Sequence, residues 1–184
     1  MSTQTYQFQK VLKRSKTGAA SSRASRRIIG IDPGLAGTGW GILDNRDGKA
    51  LYVDHGIIET KADRPRAERL FFILTSIRAI IEKYKPSEAA IETLYFGKNV
   101  SSAIPVAEAR GVISAAIAEK GLPLREFTPN AIKQGVTGSA GANKKQVQEM
   151  VRIILKLDDV SKPDHAADAL GAAICAAHDG SPQA

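Results

Sequence analysis

Cysteine is all but missing from this chain. Cys175 is the only one among 184 residues, so no disulfide can close within the chain and a reducing compartment is expected. No Cys/His spacing suits a structural zinc. Apolar runs are broken by charges or glycines well short of a membrane span, and no apolar core of a secretory signal follows the first residues. Internal repeats are absent. Acids are absent from residues 1–27, which carry seven bases: Lys10, Lys13, Arg14, Lys16, Arg23, Arg26 and Arg27. The whole chain has 26 bases against 19 acids, a net charge of +7. Beyond residue 27 the two signs balance. The basicity therefore belongs to a tail, and it does not by itself make the folded part a nucleic-acid binder.

What the chain does contain suits one globular domain. Hydrophobic residues make up 43% and charged residues 24%, a balance that favours a folded core over disorder. Residues 1–26, rich in Ser, Thr, Gln, Lys and Arg, read as a disordered basic extension. A DNA-tethering arm and an organellar transit peptide share that composition. The folded domain is expected over residues 27–179, with 180–184 as a flexible tail.

Within the domain, residues 27–32 form an apolar strand, Pro33-Gly34-Leu35-Ala36-Gly37 turns, and residues 38–43 form a second strand. The hairpin signal Asn45-Arg46-Asp47-Gly48 leads into a third strand over residues 51–59. Ala67, Leu70, Phe71, Leu74, Ile77, Ile80 and Ile81 recur at helical spacing, which predicts a helix over residues 64–84 stopped by Pro86. A short buried strand, Glu88–Glu92, and a polar loop follow, then a helix rich in small residues over residues 101–120. The last strand spans residues 123–128; Thr128 caps a helix with Pro129 in its first turn. Helices over residues 143–156 and 163–178 close the chain. Strand-helix-strand steps are usually parallel right-handed crossovers. The expected fold is α/β: a mixed five-stranded sheet, an antiparallel meander plus two parallel crossovers, with helices on both faces.

Three places concentrate groups that carry chemistry. Asp32 ends the first strand, as a turn former in Asp-Pro-Gly or as a functional carboxylate. Gly34, Gly37, Gly39 and Gly41 beside it suggest close approach of backbone to a ligand such as a phosphate. Glu92 ends another apolar strand. Parallel strands place their C-terminal ends on one sheet edge, where ligands bind, and two carboxylates crowded there repel unless a cation lies between them. His165 and Asp168, in Pro163-Asp164-His165-Ala166-Ala167-Asp168, share a helix face, as do Asp164 and Asp168. Asp164 has an alternative role as a first-turn acid in a capping pattern that begins at Ser161, and His165 as an exposed first-turn histidine. An oxygen-rich set points to Mg2+ or Mn2+ rather than zinc. Two such ions roughly 4 Å apart suit in-line displacement at a phosphodiester by water. Asp32, Glu92, Asp168 and His165 are thus candidate ligands, and no covalent nucleophile is required.

Several separated motifs occur in order: Ile28-Ile29-Gly30-Ile31-Asp32-Pro33-Gly34, Ile91-Glu92 with Gly97-Lys98-Asn99, Ala109-Arg110-Gly111-Val112, Ile132-Lys133-Gln134, Lys145-Gln146-Val147-Gln148 and Ala166-Ala167-Asp168-Ala169-Leu170. Through them the chain, from about Ile28 to His178, resembles the bacterial RuvC family of crossover junction endodeoxyribonucleases, the Holliday junction resolvases. The resemblance implies an RNase H-like fold and a homodimer. It implies paired, symmetric, metal-dependent nicks across four-way junction DNA in recombination and repair, leaving 5′-phosphate and 3′-hydroxyl ends. Asp32, Glu92 and Asp168 fall on the family's catalytic acids, with two Mg2+ per site and Mn2+ as a substitute. His165 falls on a position that holds aspartate in some members and histidine in others.

Other positions carry over from the same resemblance. Lys133 and Lys144 fall on basic positions near the scissile phosphate. Tyr95 falls where the family carries an aromatic that stacks on unpaired bases, a contact worth ~1–3 kcal/mol per base; its alternative role, with Phe96, is to anchor the loop on the core. Phe96, Lys98, Asn99 and Lys145 join it as DNA-contact candidates, although Lys145 equally suits a solvated helix face with Arg152 and Lys156. Ala103, Ala107, Gly111 and Ala115, at helical spacing, are expected to form the two-fold interface. The resemblance further implies the branch-migration complex RuvA–RuvB as a partner, no membrane, and a bacterial cytoplasm.

Three other readings compete. A sugar-kinase or actin-like ATPase opens with a similar strand, aspartate and glycines, but needs a second lobe and phosphate loop that 184 residues cannot hold. Another RNase H-like nuclease, acting on RNA or RNA–DNA hybrids, would use the same acids. A junction-binding protein without catalysis would not need three of them.

Overall fold

Side chains alternate across the first strand, and that alternation builds two cores. Ile28 packs on one side of the sheet, Ile29 and Ile31 on the other, and all three are fully buried. The computed structural model describes residues 25–93, 100–159 and 164–179. The basic extension up to residue 24, the segment with Tyr95, Phe96, Lys98 and Asn99, residues 160–163 and the 180–184 tail lie outside the described residues.

The elements are β1 (Arg26–Asp32), β2 (Gly37–Arg46), β3 (Lys49–Glu59), α1 (Arg66–Tyr84), β4 (Glu88–Glu92), α2 (Val100–Glu119), β5 (Leu124–Phe127), α3 (Pro129–Thr137), α4 (Lys144–Leu155) and α5 (Asp164–His178). The sheet order is β3-β2-β1-β4-β5. The β1–β2 and β2–β3 pairs are antiparallel, and β1–β4 and β4–β5 are parallel. This is the expected meander with two crossovers. Helices α1 and α2 cover one face through Ile73, Ile77, Ile113 and Ile117, while α3, α4 and α5 cover the other. Among the described residues no helix is long and apolar enough to cross a membrane.

The β2–β3 ribbon extends past the expected strand ends because its turn is tight. Arg46 pairs with Lys49 across Asp47 and Gly48, whose φ angles are 51° and 78°. Two successive positive φ angles give the turn whose twist matches the flanking strands.

Helix α1 keeps most of its expected phase: Leu70, Leu74, Ile77, Ile80 and Ile81 all pack into the core. Phe71, one of the residues at helical spacing, is an exception: it is 63% exposed and Phe72 52% exposed, while Ile73 is fully buried. Residues 70–74 read Leu-Phe-Phe-Ile-Leu, so that turn is apolar all round, and packing rather than periodicity selects Ile73 over Phe71. The helix begins after Pro65 and ends on Lys85, which adopts left-handed geometry and donates its N–H to Ile81. Helix α4 begins after a capping box in which the Asn143 and Gln146 side chains each accept from the other's backbone N–H, at 3.0 and 2.8 Å. That cap puts Lys144 at the first helical position.

Candidate active site

Strand register brings the first two acids together. Ile31 of β1 pairs with Ile91 of β4, so Asp32 and Glu92 leave the sheet side by side at the same edge. The third acid arrives on α5. Asp32 pairs across the sheet with Gly39 of β2, and the first turn of α5 lies directly on that glycine. A Cβ at position 39 would overlap the His165 carbonyl, and one at Gly30 would overlap the Ala169 carbonyl. From Ala166 to Ala177 every residue of α5 except Asp168 is buried. Small residues on helix and sheet therefore allow close contact, and the contact delivers His165 and Asp168 to Asp32.

His165 Nδ1 lies 2.6 Å from Asp32 Oδ2. One ligating atom from each of Asp32, His165 and Asp168 falls within 4.8 Å of the others. Glu92 stands outside this trio and lines an adjoining cleft of about 180 Å3 with Lys133, Lys144 and Asp168. Lys144 Nζ lies 3.5 Å from Asp168 and 3.2 Å from Asp164. Asp164 also accepts from Gln148 at 3.0 Å, so it is turned toward α4, and His165 is the residue that joins the trio. Lys145 faces away, into a separate groove with Ser139, Asn143 and Glu149.

The electrostatics show an excess of negative charge. Burial pushes Glu92 up to about 7, and the Asp32 and Asp168 charges add to the effect. Asp168 is also raised, by burial first, with Lys144 opposing. The hydrogen bond to Asp32 raises His165 against the cost of its burial. Burial pulls the Lys144 ammonium down, but Asp168 and Asp164 outweigh it and leave it raised. Crowded carboxylates and one imidazole at a sheet edge form a donor set that a hard divalent cation would satisfy.

A consequence follows for the metal-free protein. A carboxyl that ionises at about 7 when folded and 4.5 ordinarily keeps its proton in the folded state over a range where the unfolded chain has lost it. Stability is then full below 4.5 and falls as pH rises to about 7. Glu92→Gln removes this loss, which is about 3 kcal/mol at most. In EDTA its melting temperature should exceed that of wild type at pH 8 and converge with it near pH 4.5. Calorimetry across that range checks the point; a pH-independent difference would refute it.

Residues 28–176 match the family model for crossover junction endodeoxyribonuclease RuvC. The chain belongs to that family. The RuvC of Treponema denticola is 51% identical over 158 residues, covering 85% of this chain and 89% of the relative. That of Chloroflexus aurantiacus is 49% identical over 152 residues, covering 83% and 93%. Among solved structures, Thermus thermophilus RuvC in complex with a Holliday junction substrate superposes with a TM-score of 0.77 at 30% identity, over 82% of this chain and 92% of that one. The yeast mitochondrial Holliday junction resolvase Ydc2, at 13% identity and a TM-score of 0.62, over 86% of this chain and 82% of that one, shares the fold alone.

Asp32, Glu92, His165, Asp168, Lys133 and Lys144, expected from the sequence to share one site, lie in one neighbourhood. Two of the four glycines expected beside a ligand have another role. Gly39 and Gly41 face His165 and Leu170 of α5 rather than a ligand. Their period-two spacing along one strand is a signal that could have shown it, because it marks a sheet face bared for a helix. Gln148 was matched as a motif residue, but nothing local signalled its hold on Asp164, sixteen residues away.

Proposed function

We propose that this chain is a Mg2+-dependent Holliday junction resolvase, cutting two strands of a four-way DNA junction at symmetric positions. The observation that carries the reading is the Asp32–His165–Asp168 trio with Glu92 beside it, in a chain of the RuvC family. Two Mg2+ ions, held by Asp32, Glu92, His165 and Asp168, would supply the Lewis acidity for hydrolysis by water, with Mn2+ as a substitute. The chain's own residues do the rest. Lys133 and Lys144 border the same cleft as Glu92 and Asp168 and neutralise charge that develops on the phosphate oxygens. Lys144 is held in place by Asp164, which does not belong to the trio. His165 has to be neutral to act as a ligand, so its protonation, which the hydrogen bond to Asp32 favours, competes with metal binding at low pH.

Two symmetric cuts require two sites related by a two-fold axis, hence a homodimer. Helix α2 supports this, with a correction: Ala103 turns to the core, while Gly111 has open space above it and Ala115 is exposed. Ile104, 48% exposed, adds apolar surface on the same helix, and Phe71 and Phe72 add more on neighbouring α1. A second copy of the chain is the proposed occupant. Base contacts by Tyr95, Phe96, Lys98 and Asn99, the RuvA–RuvB partnership and a bacterial cytoplasm rest on the family resemblance.

The test is a labelled immobile four-way junction incubated with Mg2+, beside a linear duplex and an RNA–DNA hybrid. Paired nicks with ligatable ends in the junction alone are expected. Cleavage of the hybrid with the junction left intact would overturn the reading. Sedimentation at micromolar concentration should give a dimer; a monomer would remove the proposed interface.

A further inference from the structure

The turn that follows Asp32 is held from outside by a residue far away in sequence. Residues 33–36 join β1 to β2, and three successive carbonyls in this turn are engaged. Thr38, fully buried, donates its hydroxyl to the Gly34 carbonyl at 2.7 Å. Thr60, the first residue after β3, donates its hydroxyl to the Leu35 carbonyl at 2.5 Å and its backbone N–H to the Ala36 carbonyl at 3.0 Å. Behind it, Arg69 of α1 donates Nε to Thr60 Oγ1 at 2.8 Å.

The direction of this relay is fixed by chemistry. A guanidinium only donates, so Thr60 Oγ1 accepts from Arg69 and its single hydrogen is left for Leu35. The Leu35 side chain is itself buried, in the core between the sheet and α1 and α2. The turn is therefore pinned through both the side chain and the carbonyl of one residue. Asp32 stands immediately before it, at the end of β1, and has to present a carboxylate to His165 and Asp168 on another element. Its backbone is paired on the sheet side by Gly39; the pinned turn sets the direction in which the chain leaves.

We propose that Thr60, oriented by Arg69, is a positioning residue for Asp32 in the nuclease reaction. Thr60 and Arg69 act through the turn. The inference rests on the nuclease reading given above, and Mn2+ binding tests it independently of cleavage.

Thr60→Val removes the hydroxyl at nearly constant shape and keeps the backbone bond to Ala36. Misplacing a reacting group by about 1 Å can cost ~100-fold in rate. Single-turnover junction cleavage by Thr60→Val should accordingly fall about 10- to 100-fold. Junction affinity measured in Ca2+ should stay within about twofold of wild type, because phosphate contacts elsewhere carry it. Mn2+ binding, followed by electron paramagnetic resonance, should weaken about tenfold, since ligand placement decides affinity. Thr60→Ser restores the hydroxyl and should recover most of both losses, and Arg69→Leu should move both in the same direction as Thr60→Val. Wild-type rate and Mn2+ affinity in Thr60→Val would overturn the proposal. So would a lowered melting temperature with rate and Mn2+ affinity unchanged, or a folded Thr60→Ser as defective as Thr60→Val. If Thr60→Val fails to fold, Arg69→Leu and Thr60→Ser decide. If wild type leaves the junction uncut, the functional reading fails, and the Mn2+ titrations alone still decide the role of Thr60.

Discussion

Asp32→Asn is expected to lower junction cleavage at least about 1,000-fold, roughly 4 kcal/mol in the barrier, while junction affinity stays within about threefold. The substitution preserves shape and removes charge at the carboxylate that touches His165 and also faces Asp168 and Glu92. Three effects coincide. A hard cation loses an anionic ligand. His165 loses the hydrogen bond that is the main cause of its raised pKa. Glu92 and Asp168 lose a neighbouring charge that pushes both of them up. Binding should survive, because phosphate contacts over a wide surface carry it and a negative charge next to the scissile phosphate has been removed. Single-turnover nicking in Mg2+ and gel shift in Ca2+ separate the two quantities. Retained cutting would remove Asp32 from the chemistry. Lost binding would mean that it organises the fold.

The site was legible in sequence where its signals are local, and illegible where they cross elements. Asp32 and Glu92 each end a short apolar strand, and His165 and Asp168 share a helix face by spacing alone. Those features need no knowledge of packing. The choice of His165 over Asp164 does. Lys144 and Gln148, on a different helix, hold Asp164 out of the trio, and no periodicity reports that. The fold divides in the same way. Asp47-Gly48 fixes the hairpin locally, whereas periodicity is ambiguous within residues 70–74 of α1, where every side is apolar and only the sheet beneath selects Ile73 over Phe71. Thr60 reaches Leu35 across 25 residues, and Arg69 reaches Thr60 across nine. Such contacts exist only after β3 and α1 have packed.

Gly39→Ala should separate catalytic geometry from stability. An added Cβ would overlap the carbonyl group and Cβ of His165, so the first turn of α5 has to lift away from β2. That turn carries His165, and Asp168 follows one turn later. Overpacking of this kind costs about 1–3 kcal/mol in stability. The larger expected effect is on chemistry, a loss of about 100-fold in cleavage from displacement of two groups that must meet Asp32. Gly41→Ala supplies the contrast. Its Cβ would press mainly on the Leu170 side chain, with Cδ2 and Cγ at 2.5 and 2.7 Å and the Leu170 Cα farther off at 3.3 Å, so a side-chain shift relieves most of the overlap, whereas at Gly39 the helix backbone itself is in the way. Gly41→Ala should therefore lose comparable stability, about 1–3 kcal/mol, but keep cleavage within about threefold of wild type at temperatures where it is folded, because Leu170 carries no group of the site. Melting curves and single-turnover rates on both variants provide the comparison. If the two lose activity only in proportion to stability, the close approach at Gly39 is ordinary packing. If Gly39→Ala is folded and nearly inactive while Gly41→Ala cuts normally, the contact between β2 and α5 at Gly39 is what sets the distance between Asp32 and its partners.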